Sequence, residues 1–455
     1  MPAHPERTDR GGRHPAAALA AIVPVLLLAG CLGEGLPGVA KFGTSRATDP
    51  LGPQGGEMAR AMQDKADRGE TRSILIEGLV ARQSVLPPQG PYAQIADAIL
   101  TANKGSAAAE LRVARLKAEA KSKNWLPRIG PSVDLTSLGA LAASILVDQV
   151  LFDNGRRKAE RDFAAADVEV AAVSLSSEMN IRVHEGLVHY VTAQKTMRQA
   201  GVAEAGVAKL QDYSRIMRLR VEGGLSDRSE ERVIQQKVAE MTAIASSDRQ
   251  AAATAQAELD AMTDRPLRGL SGLPPVGAAP GGTVPLSVLK AEGEGKRMVA
   301  EAKMARAGLL PGLTASANVT KDGITGGLRG ASDEGFGFGT GASLRALEAT
   351  EDVAKGRTDS ARDTSARRIV ALEREIAALA AREAEGASVL RQTEASLRMF
   401  TEQYKLGRRP LMELVGLYET WARLERDQAA LTYDMALARL RIGLENGVLV
   451  DGKRM

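Results

Sequence analysis

The chain has few of the residues that compact enzymes usually use. Aromatic residues make up only 3% of the 455 residues, and there are four histidines and one cysteine. A single cysteine excludes an intrachain disulfide. The net charge is only +4, from 60 Lys and Arg against 56 Asp and Glu, which gives little support for nucleic-acid binding. At this length one compact core is not expected, whereas several domains or an elongated shape are.

Residues 1–30 have the layout of a secretory signal. Arg7, Arg10 and Arg13 precede the run AAALAAIVPVLLLAGC, whose apolar part, 16–30, is short for a membrane span of about 20 residues. The segment LAGC resembles a bacterial lipobox, which implies cleavage before Cys31 and lipidation of its thiol. An uncleaved anchor with an incidental cysteine is the alternative. No later segment has 18 unbroken apolar residues, so any further membrane contact is expected from strands or a surface helix.

The rest of the chain repeats one plan. Each half has a helix that ends near a Leu-Pro pair, then a β region and a helical hairpin, and 97 residues separate Pro127 from Gly224 while 96 separate Pro311 from Gly407. Such an internal repeat indicates a duplicated structural unit. The predicted parts are a signal peptide at 1–30, a lipidated N-terminal tether at 31–85, a first repeat at 86–270, a Pro/Gly linker at 271–287 and a second repeat at 288–450.

The stretch QVLFDNGRRKAERD, residues 149–162, predicts a strand that passes directly into a long helix. Side chains alternate between two faces, with Ile145, Val147, Gln149 and Leu151 on one and Leu146, Asp148, Val150 and Phe152 on the other. A turn at 153–155 starts a helix that is predicted to reach about Glu222.

The two halves differ in one spacing. The second β region is predicted at 312–345, and GFGFGTG within it fits small residues of a strand. Gly155 and Gly224 are 69 residues apart, but Gly356 and Gly407 are only 51 apart. Either the second β region is longer or its long helix is shorter.

The last helix has apolar residues at a spacing of three and four. They are Leu414, Leu417, Trp421, Leu424, Leu431, Met435, Ala438 and Ile442, with Gln428 as a polar break. The preceding helix starts the same pattern at Ile369, Leu372, Ile376 and Leu379. A seven-residue repeat predicts left-handed supercoiling against neighbouring helices.

Strand, turn and very long helix, used twice, resemble the TolC family of outer-membrane efflux and secretion channels. The segments NWLPRI, QVLFDNGRRKAE and the C-terminal 404–449 carry the resemblance, which covers about residues 92–450. It implies a mainly α fold with a small β part: long coiled-coil helical hairpins forming a tunnel, and four β-strands per chain contributing to a trimeric 12-stranded barrel. Four short strands cannot close a barrel in one chain, which the implied homotrimer resolves.

The resemblance places function at the two hairpin tips, where the family has its periplasmic entrance and docks an adaptor protein. The tip residues assigned to docking are Gly224, Leu225, Ser226, Gly407, Arg408 and Leu411. Tyr404 and Arg409 match gate residues of the second hairpin, and Ser229 and Glu230 match their polar partners on the first. Exposed ion pairs are worth about 0–1 kcal/mol, so such a gate is breakable. Ordinary capping and solvated residues are the alternative.

Glu413 matches an acidic position that would ring the aperture when repeated threefold and would favour cations. The best-known member of the family has a second acidic ring three residues further on. This chain has Gly416 at that position, which leaves cation selectivity open.

No catalytic motif is found. HEGLVH, residues 184–189, has its histidines five apart rather than the four that place both on one face of a helix in zinc proteases. No Ser/His/Asp set, metal cluster, Walker motif or cofactor motif occurs, so the chain is not expected to be an enzyme.

The predicted function is a passive outer-membrane channel of a tripartite export system, with its helical tunnel in the periplasm. Its predicted partners are two further copies, a periplasmic adaptor, an ABC or proton-driven inner-membrane pump and outer-membrane lipid, without nucleic acid. Drug efflux and type I protein secretion both remain open, and the tip sequence slightly favours secretion. The alternative is a coiled-coil structural lipoprotein without a pore, which agrees with the few aromatic residues of the β regions, Phe152, Phe336 and Phe338.

Overall fold

The computed structural model of the protein describes residues 73–103, 105–135, 141–320, 323–332 and 339–455. The predicted signal peptide, Cys31, most of the predicted tether, Phe336 and Phe338 lie outside these residues. The helices are α1 (Ile74–Val80), α2 (Pro91–Ala102), α3 (Ala107–Ser122), α4 (Arg156–Glu222), α5 (Arg228–Ala261), α6 (Leu286–Gly308), α7 (Thr340–Lys405) and α8 (Leu411–Asn446). The strands are β1 (Arg128–Leu135), β2 (Leu141–Phe152), β3 (Gly312–Thr320) and β4 (Gly323–Ala331), and a short 3-10 helix covers Gly452–Arg454.

The strands form one antiparallel sheet in the order β1-β2-β3-β4. β1 and β2 belong to the first repeat, β3 and β4 to the second, and the pairing of β2 with β3 joins the repeats. Within the described part of the chain, β1 and β4 are each paired on one side only, so both outer edges of the sheet are open.

The turn between β2 and α4 has the predicted form. Asn154 and Gly155 both have positive φ, 51° and 84°, which Asn and Gly adopt more readily than other residues. The Asp153 carboxylate accepts hydrogen bonds from the backbone N–H of Gly155 at 3.1 Å and of Arg157 at 2.9 Å. Asn154 Nδ2 donates to the Pro311 carbonyl at 2.9 Å, so this turn also fastens the start of β3.

The unequal spacing reflects neither a longer second β region nor a shorter second helix, so both explanations are wrong. α4 has 67 residues and α7 has 66, so the long helices match almost exactly in length. The predicted strand region 312–345 is wrong at its end, because α7 already begins at Thr340 and Gly341 lies inside it. Gly356 is also internal to α7, where glycine costs only about 0.5–1 kcal/mol relative to alanine. It was therefore a poor marker of the helix start.

The predicted apolar pattern of the hairpin helices agrees in part with the burial. In α7, Leu379 is buried and Ile369, Leu372 and Ile376 are half-buried among exposed neighbours. In α8, the stripe that is most deeply buried next to the tip is Leu411, Leu414, Val415, Tyr418 and Ala422. It is shifted to one side of the predicted row, because α8 packs against α4 as well as α7.

The folded body begins earlier than predicted. The predicted tether ends at 85, yet α1 starts at Ile74 and buries Leu75 and Leu79. Arg82 donates through Nη1 to the carbonyls of Asn446 and Gly447 at 2.6 and 3.3 Å, at the end of α8. Only the part of the predicted tether before Ser73 therefore remains a candidate for a tether.

The C-terminal residues pack against α4 through one buried amide. Asn180 Oδ1 accepts hydrogen bonds from the backbone N–H of Leu449 at 2.8 Å and of Val450 at 3.3 Å. The predicted linker is held in the same region, where Tyr190 Oη donates to the Gly272 carbonyl at 2.9 Å and Gly277 N–H donates to the Val85 carbonyl at 2.9 Å. The linker lacks regular structure up to Pro285, where α6 follows, and it is tied to α4 and to the segment after α1.

The helices of the described residues do not include one that is sufficiently long and apolar to cross a membrane.

The helices pack mainly around α4, which contacts α1, α2, α3, α5, α6 and α8, whereas α7 packs against α6 and α8. α5 and α8 touch only lightly. They are joined by a bidentate pair in which Arg426 donates to the Asp248 carboxylate at 2.7 and 2.8 Å.

Loss of Arg426 is expected to destabilise this junction. The Asp248 side chain is only 9% exposed, so Arg426→Leu leaves a nearly buried carboxylate without its partner. We expect the free energy of unfolding to fall by roughly 3 kcal/mol, and the double variant with Asp248→Leu to recover most of it. The apparent Tm of the detergent-solubilised protein, followed by far-UV circular dichroism, measures both.

Arg367→Leu is the matched control, since Arg367 pairs with Asp363 on the exposed side of α7 with 72% of its side chain accessible. Such a pair contributes about 0–1 kcal/mol. Equal losses for Arg367→Leu and Arg426→Leu would contradict the special role of the buried pair.

Candidate functional site

The sheet has one apolar and one polar face. Cross-strand partners share a face, and the strand register therefore defines rows of side chains. The apolar face has the rows Pro131-Ile145-Val319-Ile324, Ile129-Val147-Ala317-Gly326 and Gln149-Ala315-Leu328. The opposite face has the rows Gly130-Leu146-Asn318-Thr325, Arg128-Asp148-Ser316-Gly327 and Val150-Thr314-Arg329.

The apolar face is open to solvent in the single chain. Ile129 is 72% exposed, Ile324 is 75% exposed and Leu328 is 70% exposed. On the polar face Ser144 is buried, whereas Arg128, Thr325 and Arg329 are exposed as well. A sheet with its large aliphatic side chains on one face and its polar side chains on the other has the alternating pattern of membrane strands.

Two aromatic side chains lie where the apolar face meets the helices. Phe152 is 58% exposed and Trp125, directly before β1, is 61% exposed. The predicted alternation is interrupted here by a bulge between Val150 and Phe152, which brings Phe152 into register with Leu313 on the apolar side. The prediction that Phe152 shares a face with Leu146, Asp148 and Val150 is therefore wrong.

The two hairpin tips have the same backbone geometry. Gly224 and Gly407 have φ of 73° and 69°. After each glycine the next backbone N–H reaches back five residues, from Leu225 to the Arg220 carbonyl at 2.7 Å and from Arg408 to the Gln403 carbonyl at 2.9 Å. This is the pattern of a Schellman motif, in which glycine occupies the left-handed position.

The first tip is capped by its own side chains. Asp227 accepts hydrogen bonds from the backbone N–H of Ser229 at 2.5 Å and of Glu230 at 3.3 Å, and also from the Ser229 hydroxyl. These bonds, led by that of the hydroxyl, lower the pKa of Asp227. The run Asp-Arg-Ser-Glu at the start of α5 has the spacing of a capping box, which agrees with the alternative that Ser229 and Glu230 are ordinary capping residues.

The second tip is organised by Arg409. Its Nε donates to Gln403 Oε1 at 2.5 Å, its Nη1 pairs with the Glu413 carboxylate, and its guanidinium lies 3.8 Å from the centre of the Phe400 ring. The charged and polar contacts of Arg409 thus stay within α7, the tip and α8. Gln403 and Phe400 have no distinguishing sequence signal, since their role depends on the fold of the tip.

The predicted gate residues are not joined within one chain. The contacts described for Arg409 do not include Ser229 or Glu230, whose backbone groups bond to Asp227 instead. Tyr404 packs against the apolar cluster beneath the tips. A contact between the two tips remains a prediction about an assembly of several chains.

That cluster fastens α8 to α4 and α5. The Tyr213 and Tyr418 rings meet edge to face with centroids 5.8 Å apart, and Tyr418 lies 5.5 Å from the Trp421 ring. Burial is the main cause that raises the pKa of both tyrosines to about 12. Leu411 is also in this cluster and only 2% exposed, so its assignment as a docking residue is wrong.

The other docking candidates lie at the surface of the tips. Leu225 is 72% exposed, and Gly224, Gly407 and Arg408 are exposed too, while Ser226 is half-buried. Glu413, the predicted aperture residue, has 48% of its side chain exposed. Both tips therefore have exposed side chains that a partner could contact, whereas Leu411 lies in the buried apolar cluster.

The two histidines of HEGLVH have different partners. His189 Nδ1 lies 2.8 Å from Glu258 of α5, whereas burial and then the Arg441 charge lower the pKa of His184 to about 4. Within the described residues no group of three or more His, Cys, Asp or Glu side chains is placed to hold a metal ion.

Known structures share this fold. The CmeC outer membrane channel of Campylobacter jejuni matches with a TM-score of 0.65 and 10% identity over 79% of this chain and 86% of its own. VceC of Vibrio cholerae matches with a TM-score of 0.64 and 15% identity over 78% and 96%. The open state of the MtrE outer membrane channel of Neisseria gonorrhoeae gives 0.60 and 15% over 80% and 90%. No family model and no curated protein matches the sequence.

The described part of the chain therefore has the TolC-like fold, with helical hairpins and a small antiparallel sheet, as the sequence predicted. At this level of identity the likeness establishes the fold.

Replacing either tip glycine with a residue that has a Cβ atom is expected to destabilise that tip. Gly224→Ala and Gly407→Ala each force alanine into the left-handed region, at about 1–2 kcal/mol. We expect faster amide hydrogen exchange at Leu225 or Arg408, measured by mass spectrometry of tip peptides.

Gly416→Ala is the control, because Gly416 lies inside α8 with open space where its Cβ would be. This substitution is expected to stabilise the helix by about 0.5–1 kcal/mol. Slower exchange in the tip variants, or the same effect in all three, would contradict the assigned backbone geometry.

Proposed function

We propose that the protein is a passive outer-membrane channel of a tripartite export system. Its sheet inserts in the outer membrane, its helices form a periplasmic conduit, and its tips meet a periplasmic adaptor that joins it to an inner-membrane pump. It catalyses no reaction itself, so the pump supplies the energy. Cys31, when lipidated, anchors the chain to the same membrane.

The observation that carries this proposal is the two-faced sheet. Membrane strands need about 9–11 residues, and β2, β3 and β4 have 12, 9 and 9. Aliphatic side chains on the outer face suit lipid, and the row with Arg128 and Asp148 suits a water-filled lumen. The exposed Trp125 and Phe152 suit the interface with water.

The open edges of the sheet support a homotrimer. Unpaired backbone N–H and C=O groups cost several kcal/mol each in lipid, so β1 and β4 need partners. Pairing β4 of one copy with β1 of the next closes a barrel of three four-stranded sheets. α7 agrees with this assembly, since only Ala354, Ser365 and Leu379 are buried in its 66 residues and a second copy would cover more.

The spacer lipoprotein is less well supported. It predicts that the regions 129–152 and 312–345 do not form membrane strands, whereas β2, β3 and β4 have the length, and the sheet has the facial division, that strands in lipid need. The known structures with this fold are described as outer membrane channels, which also supports a conduit. The cargo can be small molecules or a protein substrate of type I secretion.

The apolar face should tolerate a cation far less well than the polar face. Leu328→Arg places a charge toward lipid, at about 2–4 kcal/mol near the middle of the bilayer. Thr325→Arg on the same strand places it on the opposite face, which already contains Arg329. We expect Leu328→Arg to reduce the protease-resistant fraction after refolding into phosphatidylcholine vesicles, and Thr325→Arg to leave it near the wild-type level.

A similar loss in both variants would argue for a general folding defect. Insertion of Leu328→Arg at the wild-type level would contradict the lipid-facing assignment of this face and favour the spacer.

We further propose that Tyr404 and Arg409 of the second tip, with Ser229 and Glu230 of the first, form the gate of the assembled channel. Because Arg409 orders the second tip through three contacts, Arg409→Ser is expected to loosen it. In planar bilayers we expect a small wild-type single-channel conductance that rises in Arg409→Ser. Arg398→Ser is the control, since Arg398 is 71% exposed and pairs with Glu394 within α7.

A pore with unchanged conductance in Arg409→Ser would remove the gate role but keep the channel. No conductance from a verified, inserted trimer would contradict the channel itself.

A further inference from the structure

We propose that the second tips make the entrance of the conduit anion-preferring, with Arg408 as the residue that determines this selectivity. This inference rests on the proposed channel function and concerns which ions pass. It replaces the expectation that a ring of Glu413 carboxylates favours cations.

The charge of Glu413 is cancelled within its own chain. Arg409 Nη1 pairs with the Glu413 carboxylate one helical turn away, and 35% of the Arg409 side chain is exposed against 48% for Glu413. The additional contacts of Arg409 with Gln403 and the Phe400 ring hold the guanidinium in this place. An ion in the aperture would therefore meet a compact pair of opposite charges rather than a bare carboxylate.

Among the other charged side chains of the second tip, positive charges outnumber negative charges by one. Lys405 Nζ lies 2.7 Å from the Glu402 carboxylate, so these two side chains also cancel. Arg408 follows Gly407 and is exposed, and its backbone N–H is used in the turn. Among the described residues no acidic side chain forms an ion pair with Arg408. The segment 400–416 thus has a net charge of +1 in each chain.

The first tip does not offset this charge. Its segment 218–232 contains four basic and four acidic residues, namely Arg218, Arg220, Arg228 and Arg232 with Glu222, Asp227, Glu230 and Glu231. Arg218 and Glu231 approach to 3.4 Å. The uncompensated charge of the tip region therefore comes from Arg408.

Threefold assembly would bring three Arg408 side chains to one entrance. Like charges that surround a narrow opening raise the local concentration of counter-ions, and rings of Arg or Lys are the usual basis of anion preference in pores. Salt screens such a field over about 10 Å at 0.1 M, so the preference should be strongest in dilute salt.

The test is the reversal potential of single channels in a KCl gradient from about 0.3 M to about 0.03 M, where screening is moderate. We expect the wild-type channel to favour chloride, and Arg408→Gln to change the chloride-to-potassium permeability ratio toward potassium by at least about twofold. Arg409→Gln, which exposes the Glu413 charge, should shift the ratio in the same direction, and Glu413→Gln in the opposite one.

Two further variants separate charge from other effects. Arg409→Lys keeps the charge while losing the planar group, so its ratio should stay near that of the wild type even where its conductance changes. Lys117→Gln removes an exposed cation from α3, away from the tips, and should leave the ratio unchanged.

A cation-selective wild-type channel, or a ratio that Arg408→Gln does not change, would overturn the inference while leaving the channel intact. Absence of any current from inserted trimers would overturn the proposed function and the inference together. The two failures are distinguishable, because only the first gives a measurable pore.

Discussion

Burial along α4 is the interaction on which the arrangement of the other helices depends. This helix packs against six others, and its buried side chains extend from Ala159 to Met217. A helix enclosed on several sides needs small residues where neighbours approach. A Cβ at Gly186 would lie 2.1 Å from Ile99 Cδ1, and one at Gly293 of α6 would lie 3.0 Å from Val170 Cγ2 of α4. The alanine-rich, aromatic-poor composition follows from this close packing rather than from a small core.

The second long helix has nearly the same length but another environment. α7 packs against α6 and α8, and large apolar side chains such as Val370 and Val389 stay 45% and 47% exposed. The repeats therefore agree in the path of the backbone and differ in what surrounds it. This difference is what a symmetric assembly of several copies would require, because the helix at the boundary of one chain needs an apolar surface for the next.

Features that depend on local backbone chemistry could be predicted from the sequence. The Asp-Asn-Gly turn before α4, the tip glycines and the duplication all follow from residues that restrict φ and ψ or from regular spacing. The start of α7 could not be located from the sequence, because Gly356 is tolerated inside a helix. Gly339, which precedes Thr340, also has no side chain that could mark the start of a helix. The ordered residues after Ser73 were missed because Arg82 is fixed by carbonyls of Asn446 and Gly447, which are remote in the sequence.

In the candidate site, too, some features follow from the local sequence and others depend on contacts between helices. Which residues lie at the tips was predicted correctly, because the glycines mark the turns. The contacts of Arg409 within its own chain could not be predicted, because those with Phe400, Gln403 and Glu413 depend on how α7 and α8 meet. Leu411 was assigned to adaptor docking by its position after an exposed turn, yet its side chain is buried.

The two tips share one backbone geometry, so any difference in function between them must come from side chains. The first tip uses Asp227 to cap α5 and ends with balanced charges. The second has Pro410 at the N-cap of α8, without a side-chain hydrogen bond, and uses Arg409 to tie α7 to α8 instead. Because an arginine performs this structural task, the contact that orders the tip also pairs the negative charge of Glu413 with a positive charge. Stability of the turn and the charge at its surface are therefore not independent, and a change in either one alters the other.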